Sequence, residues 1–138
     1  MHPLILTAAC ASLALLSACQ SPHTFSKPDA SWQTHVGQLK HTSAQRTLVG
    51  EVVVQRRGAQ EFQLDFLKGG SFPLLSLRQD AAMARAEGVL ARGHWQGTPQ
   101  QAPGPLRPWL GLREFFASKP GNLTYSQDGQ RFDFQFQH

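Results

Sequence analysis

Cysteine is scarce in this chain: Cys10 and Cys19 are the only two among 138 residues, and there is a single tyrosine. So few thiols build neither a disulfide framework nor a cysteine-rich zinc site, so the apolar core has to hold the fold. Long hydrophobic runs are lacking as well. The longest, from Leu4 to Leu16, spans 13 residues, whereas a membrane-spanning helix takes about 20. Catalytic signatures are also missing. The chain has no His-Glu zinc pattern, no Gly-rich phosphate loop, no nucleophile elbow and no internal repeat. Glu61 and Asp65 share a strand face but stand four residues apart, which suits a solvated face better than a carboxylate pair. The expectation is a protein that is not an enzyme, with no catalytic residue, no metal and no cofactor.

Charge of either sign is absent from residues 1–18. The run from Leu4 to Leu16 has the length of a signal-peptide core. Leu16-Ser17-Ala18-Cys19 follows it and resembles the lipobox of bacterial lipoproteins. In that class the cysteine sulfur receives a diacylglycerol and the signal is cut just before it. The resemblance therefore implies a signal peptide over 1–18, lipidation at Cys19 and a lipid anchor. Each buried methylene of such an anchor contributes roughly 0.8 kcal/mol, so two or three chains hold firmly. Gln20, rather than Asp, after the cysteine implies sorting to the periplasmic face of the outer membrane. The formal charge of +4 suits anionic partners, or equally a mildly basic surface with no specific partner. In that setting anionic partners are lipid phosphates and lipopolysaccharide, not nucleic acid.

Residues 19–28, with Pro22 and Pro28, read as a tether, and 29–138 as a single domain. Asp29 is placed to cap a helix running to about Gln45, with Trp32, Val36 and Leu39 as its stripe. From Thr47 the period changes to two. Strands are expected from there to Gln55, over Phe62–Leu67, over Phe72–Gln79, over Ala81–Glu87 and over Val89–Trp95, joined by turns at 56–59 and 68–71. Residues 96–108 are rich in Pro and Gly and read as a loop. Pro108 opens a short apolar helix carrying Trp109, Leu110, Leu112, Phe115 and Phe116, which Pro120-Gly121 ends. Asp128-Gly129 joins two closing strands as a hairpin.

Several of these segments, in this order, resemble the LolB family of outer-membrane lipoprotein receptors, within the LolA/LolB superfamily. Ser31-Trp32-Gln33-Thr34-His35 resembles the opening of that family's first helix. Gly50 sits at a matching glycine. Leu106-Arg107-Pro108-Trp109-Leu110-Gly111-Leu112 and Leu123-Thr124-Tyr125-Ser126-Gln127-Asp128-Gly129 resemble its later segments. The domain is shorter than is usual for the family, chiefly between Trp95 and Leu106. The resemblance implies a mainly β fold with α: a curved, antiparallel, incomplete β-barrel, with an N-terminal helix and a short apolar helix over the open face.

It also implies a function. An open half-barrel presents a concave apolar wall that binds acyl chains by desolvation, with no particular polar group required. Candidates for that wall and its plug are Phe62, Leu64, Phe66, Trp95, Trp109, Leu112, Phe116, Phe132 and Phe134. The same residues read also as plain core, and the small size of the domain favours that reading. Phe72, in the loop after the second strand of the meander, stands where the family carries an exposed insertion residue; it reads also as the first core residue of a strand. Arg46, Arg56, Arg57 and Lys68 form either a basic rim for lipid headgroups or solvated turns. The implied partners are outer-membrane lipid, the acyl chains of lipoproteins and a periplasmic carrier, bound by a monomer. The other reading is a small accessory lipoprotein that binds a protein partner and holds no lipid.

Overall fold

The computed structural model describes residues 23–137. The lipobox, Cys19 and most of the tether lie outside the described residues. Eight strands make one antiparallel sheet: β1 (Gln33–Thr42), β2 (Thr47–Arg57), β3 (Glu61–Lys68), β4 (Phe72–Gln79), β5 (Ala84–Gly88), β6 (Gly93–Gly97), β7 (Thr124–Gln127) and β8 (Gln130–Phe136). One helix, α1 (Arg107–Ala117), lies between β6 and β7 in sequence. The strand order is β6-β5-β4-β3-β2-β1-β8-β7. β6 and β7 do not pair, so the sheet stays open.

The expected N-terminal helix is a strand. β1 pairs along its whole length with β2, from Gln33↔Arg56 to Thr42↔Thr47, and along its second half with β8. Its inward row is His35, Gly37, Leu39 and His41, whose only aliphatic residue is Leu39. Val36, assigned to the apolar stripe, points outward and is 42 % exposed. Gly37 is required because a Cβ there would run into the backbone of Gln135 and Phe136 on β8.

The other strands follow the period of two. Phe62, Leu64 and Phe66 of β3 are buried, and Glu61, Asp65 and Leu67 on the other face are only partly so; Gln63 of that face is buried under the first described residues. Val54, Leu64, Leu77, Ala86 and Trp95 form one row across five strands. A bulge between β3 and β4 sets Phe66 opposite Leu75 but Leu67 opposite Pro73, leaving Leu74 as the extra residue. Val89–Ala91 forms a 3-10 turn where a strand is expected, and β6 begins only at Gly93. The proline-rich stretch is ordered by two further 3-10 turns, Pro99–Gln101 and Gly104–Leu106, and buries Ala102 and Leu106. Asp128 and Gly129 both have positive φ, 50° and 77°, as a two-residue hairpin turn requires.

α1 curls the sheet around itself. On a flat sheet β3 and β8 would lie about 14 Å apart. Yet Trp109 of α1 touches Phe66 of β3 and Phe132 of β8, at ring distances of 5.8 and 4.8 Å. Two turns later Phe116 meets Phe62 of β3 at 5.9 Å and Phe134 of β8 at 5.0 Å. The helix thus runs along the strands, with the wall rising on both sides.

Candidate functional site

The concave wall and its plug are one packed core. Phe62, Leu64, Phe66, Leu112 and Phe132 are 1 % exposed or less; Trp109, Phe116 and Phe134 are buried as well. Trp95, on the edge strand β6, is half-buried and packs against this cluster. The structure thus brings all nine candidate residues together. An acyl chain on this wall would take the place of α1's side chains.

Phe72 stands apart. It opens β4 and is 55 % exposed. Val89 is 51 % exposed and lies just past the end of β5, the neighbour of β4. The basic residues do not form one rim. Arg46 sits in the β1–β2 connection and Lys68 at the end of β3, at the same end of the sheet as Phe72. Arg56 and Arg57 are the last residues of β2, not turn residues, and lie at the opposite end. There Arg57 binds Glu61 and stacks over Trp32 at 5.7 Å. Asp65, the other carboxylate of that face, accepts a hydrogen bond from Ser76 instead.

The two ends of the sheet differ in polar detail. One end carries the 79–84 connection and the first described residues. His23 Nε2 donates to Asp80 Oδ2 at 2.5 Å, and the backbone N–H groups of Ala82 and Met83 donate to Asp80 Oδ1 at 2.9 Å. Burial raises the Asp80 pKa, but these four interactions, the His23 charge included, outweigh it and leave the carboxyl below its ordinary value. Phe25 and Ser26 follow over β3 and β4, where Gln63 Nε2 donates to the Ser26 carbonyl. Residues 23–28, read as tether, therefore lie on the domain.

The other end carries His41. Its ring is 4 % exposed and packs on Trp109 and Phe132 at 4.7 and 5.0 Å. Gln130 Nε2 donates to the Pro105 carbonyl at 3.0 Å, which turns Gln130 Oε1 toward His41. Hence His41 Nε2–H donates to that oxygen, at 2.7 Å. Nδ1 is left as a bare acceptor with no partner among the described residues. Burial, countered in part by the Gln130 hydrogen bond and reinforced by the Arg46 charge, lowers the His41 pKa, so the ring is neutral. On β1 the six-residue separation of His35 and His41 puts them on one face, at different depths.

Sequence reasoning missed the structural role of His41. A lone His in a polar stretch carries no local signal, and only the pairing of β1 with β8 places it against Phe132. Among known proteins, no family model matches the chain and no curated protein matches its sequence.

Proposed function

We propose that this chain is an outer-membrane lipoprotein with a LolA/LolB-like half-barrel. It is anchored through Cys19, binds acyl chains or lipidated proteins, and helps to place them in the membrane. The observation that carries this reading is the open sheet. Its concave wall of Phe62, Leu64, Phe66, Phe132 and Phe134 is completed by the single 11-residue helix α1, not by a β6–β7 pairing. A helix held by side-chain packing can leave a wall; a paired strand cannot leave without breaking its ladder. Phe72, exposed beside Lys68, supports membrane contact at that end.

A second reading has its own support. α1 fills the wall, and this favours an accessory lipoprotein that meets a protein partner on its surface and takes up no lipid. Two measurements on the full chain separate the readings. Growth with labelled palmitate marks the wild-type protein and leaves Cys19→Ser unmarked; an unlabelled wild type would refute the anchor. Native mass spectrometry of the full chain, released from membranes by detergent, shows bound lipid beyond the covalent anchor under the first reading. Its consistent absence, together with one partner protein captured at fixed stoichiometry, would establish the second.

A further inference from the structure

Beside His41 the sheet and α1 leave a concavity of about 300 Å³, whose lining includes His41, Arg46, Leu90, Arg92, Pro105 and Trp109. That is at the small end of ligand sites, which run roughly 300–1,000 Å³. It suits a headgroup and a few methylenes, not a whole acyl chain. No acidic residue lines it. Arg46 and Arg92 are both exposed, and neither enters an ion pair among the described residues. Arg92 is held in the left-handed conformation, φ 53°, by the bond from its N–H to the Val89 carbonyl. Its position is therefore set by the turn.

The start of α1 borders the same hollow. The helix starts beside Pro105 and Trp109 with no capping side chain and no acidic residue in its first turn. No acidic side chain sits at that end of the helix dipole, although the 3-10 turn Gly104–Leu106 runs into it and the Arg107 N–H already bonds the Pro103 carbonyl. Leu90, Pro105 and Trp109 supply an apolar side to the same hollow. A site with cations on one side and apolar surface on the other recognises an amphiphile, not a free ion.

We propose that this concavity binds the anionic headgroup of an amphiphile, a phosphate or carboxylate carried on an alkyl chain. Arg46 and Arg92 face the charge, and Leu90, Pro105 and Trp109 face the first methylenes. This deepens the acyl-binding reading and rests on it. It places the headgroup at the His41 end, where Phe72 and Val89 are exposed.

The test uses the full chain in phosphatidylcholine nanodiscs, titrated calorimetrically with octyl phosphate below its micelle concentration. Empty nanodiscs supply the blank. Octyl trimethylammonium, octyl glucoside and inorganic phosphate are run in parallel. Octyl phosphate is expected to bind at least tenfold more tightly than the other three. Arg46→Gln with Arg92→Asn removes that advantage; asparagine tolerates the left-handed backbone at 92, so the fold is kept. Inorganic phosphate binding as tightly as octyl phosphate would overturn the proposal in favour of a free-phosphate site. Equal binding of all three octyl compounds, unchanged in the double variant, would overturn the headgroup site and leave acyl binding standing. No binding of any octyl compound, with no lipid in the native mass spectrum, would overturn both.

Discussion

The two ends of this sheet are built from the same strands and differ in what holds them. At the Asp80 end, several polar groups find partners within the chain: His23 and two backbone amides on Asp80, Glu61 on Arg57, and the Ala59 carbonyl accepting from Arg113 of α1; the buried Trp32 Nε1, Arg56 Nε, Glu61 Oε2, Gln79 Oε1 and Arg113 Nε have none among the described residues. At the His41 end, Phe72 and Val89 are exposed, and among the described residues Arg46 and Arg92 lack ion pairs and one buried atom, His41 Nδ1, has no partner. The ends therefore differ in their exposed apolar side chains, Phe72 and Val89 at the His41 end, and not in how completely their buried polar atoms are paired. A strand such as β4 separates the two by about 24 Å. Cys19 lies four residues before His23, at most about 14 Å of extended chain. Contact of Phe72 with the bilayer that holds an anchor at Cys19 therefore requires the strands to lie along the membrane, or residues 23–28 to leave their seat.

The largest effect expected is common to both ends. Trp109→Ala should lower stability by about 3–5 kcal/mol in denaturant unfolding, since it empties the space between Phe66, Phe132 and His41. A loss below about 1 kcal/mol would mean that α1 is only loosely seated on the wall.

Next is Asp80→Ala, which removes the group that fixes the first described residues and the 79–84 connection. A cost of about 1–3 kcal/mol is expected, with faster proteolysis at 23–31 and unchanged hydrogen exchange around His41. Loss of protection at both ends together would show that they do not open independently.

Acid should then separate the ends by sequence of failure. Both folded pKa values are depressed, so each group stabilises the fold fully above its unfolded pKa and loses that contribution as pH falls toward its folded value. The ordinary values are 6.5 for His41 and 3.8 for Asp80. As pH drops from 7, amide exchange should rise first around β1, β8 and the start of α1, below about 6.5. The 79–84 connection should loosen only below about 4. The reverse order would contradict the assignment of a neutral His41.

The smallest effect on stability belongs to Phe72→Glu, within about 0.5 kcal/mol, as for surface sites generally. Under the proposed function it should nevertheless abolish delivery of lipidated cargo to liposomes. Full delivery by a folded Phe72→Glu protein would remove Phe72 from the membrane-contacting surface.

Much of the sheet was legible along the chain. Phe62, Leu64 and Phe66 alternate with polar neighbours, Gly69-Gly70 breaks the run, and Asp128-Gly129 marks the last hairpin. These signals are local, and the structure keeps the corresponding strands within a few residues. α1 was legible for the same reason, from Pro108 to Phe116. β1 was not. Trp32, Val36 and Leu39 fall at helical spacing, while its inward row offers a glycine and two histidines where strand patterns show aliphatics. Partners far along the chain, Val52 and Phe134 among them, decided its conformation. The split of Arg46 and Lys68 from Arg56 and Arg57 was hidden likewise, because it depends on which strand end each residue occupies.

The sequence by itself determined a β-rich domain with one apolar helix, since alternation, turn residues and Pro108 act within a few neighbours. Tertiary structure alone decided that β1 is a strand, that the nine wall and plug residues form one filled core, and that His41 becomes buried. Each of those outcomes depends on contacts between residues tens of positions apart, whose energy exists only once the sheet has curled around α1.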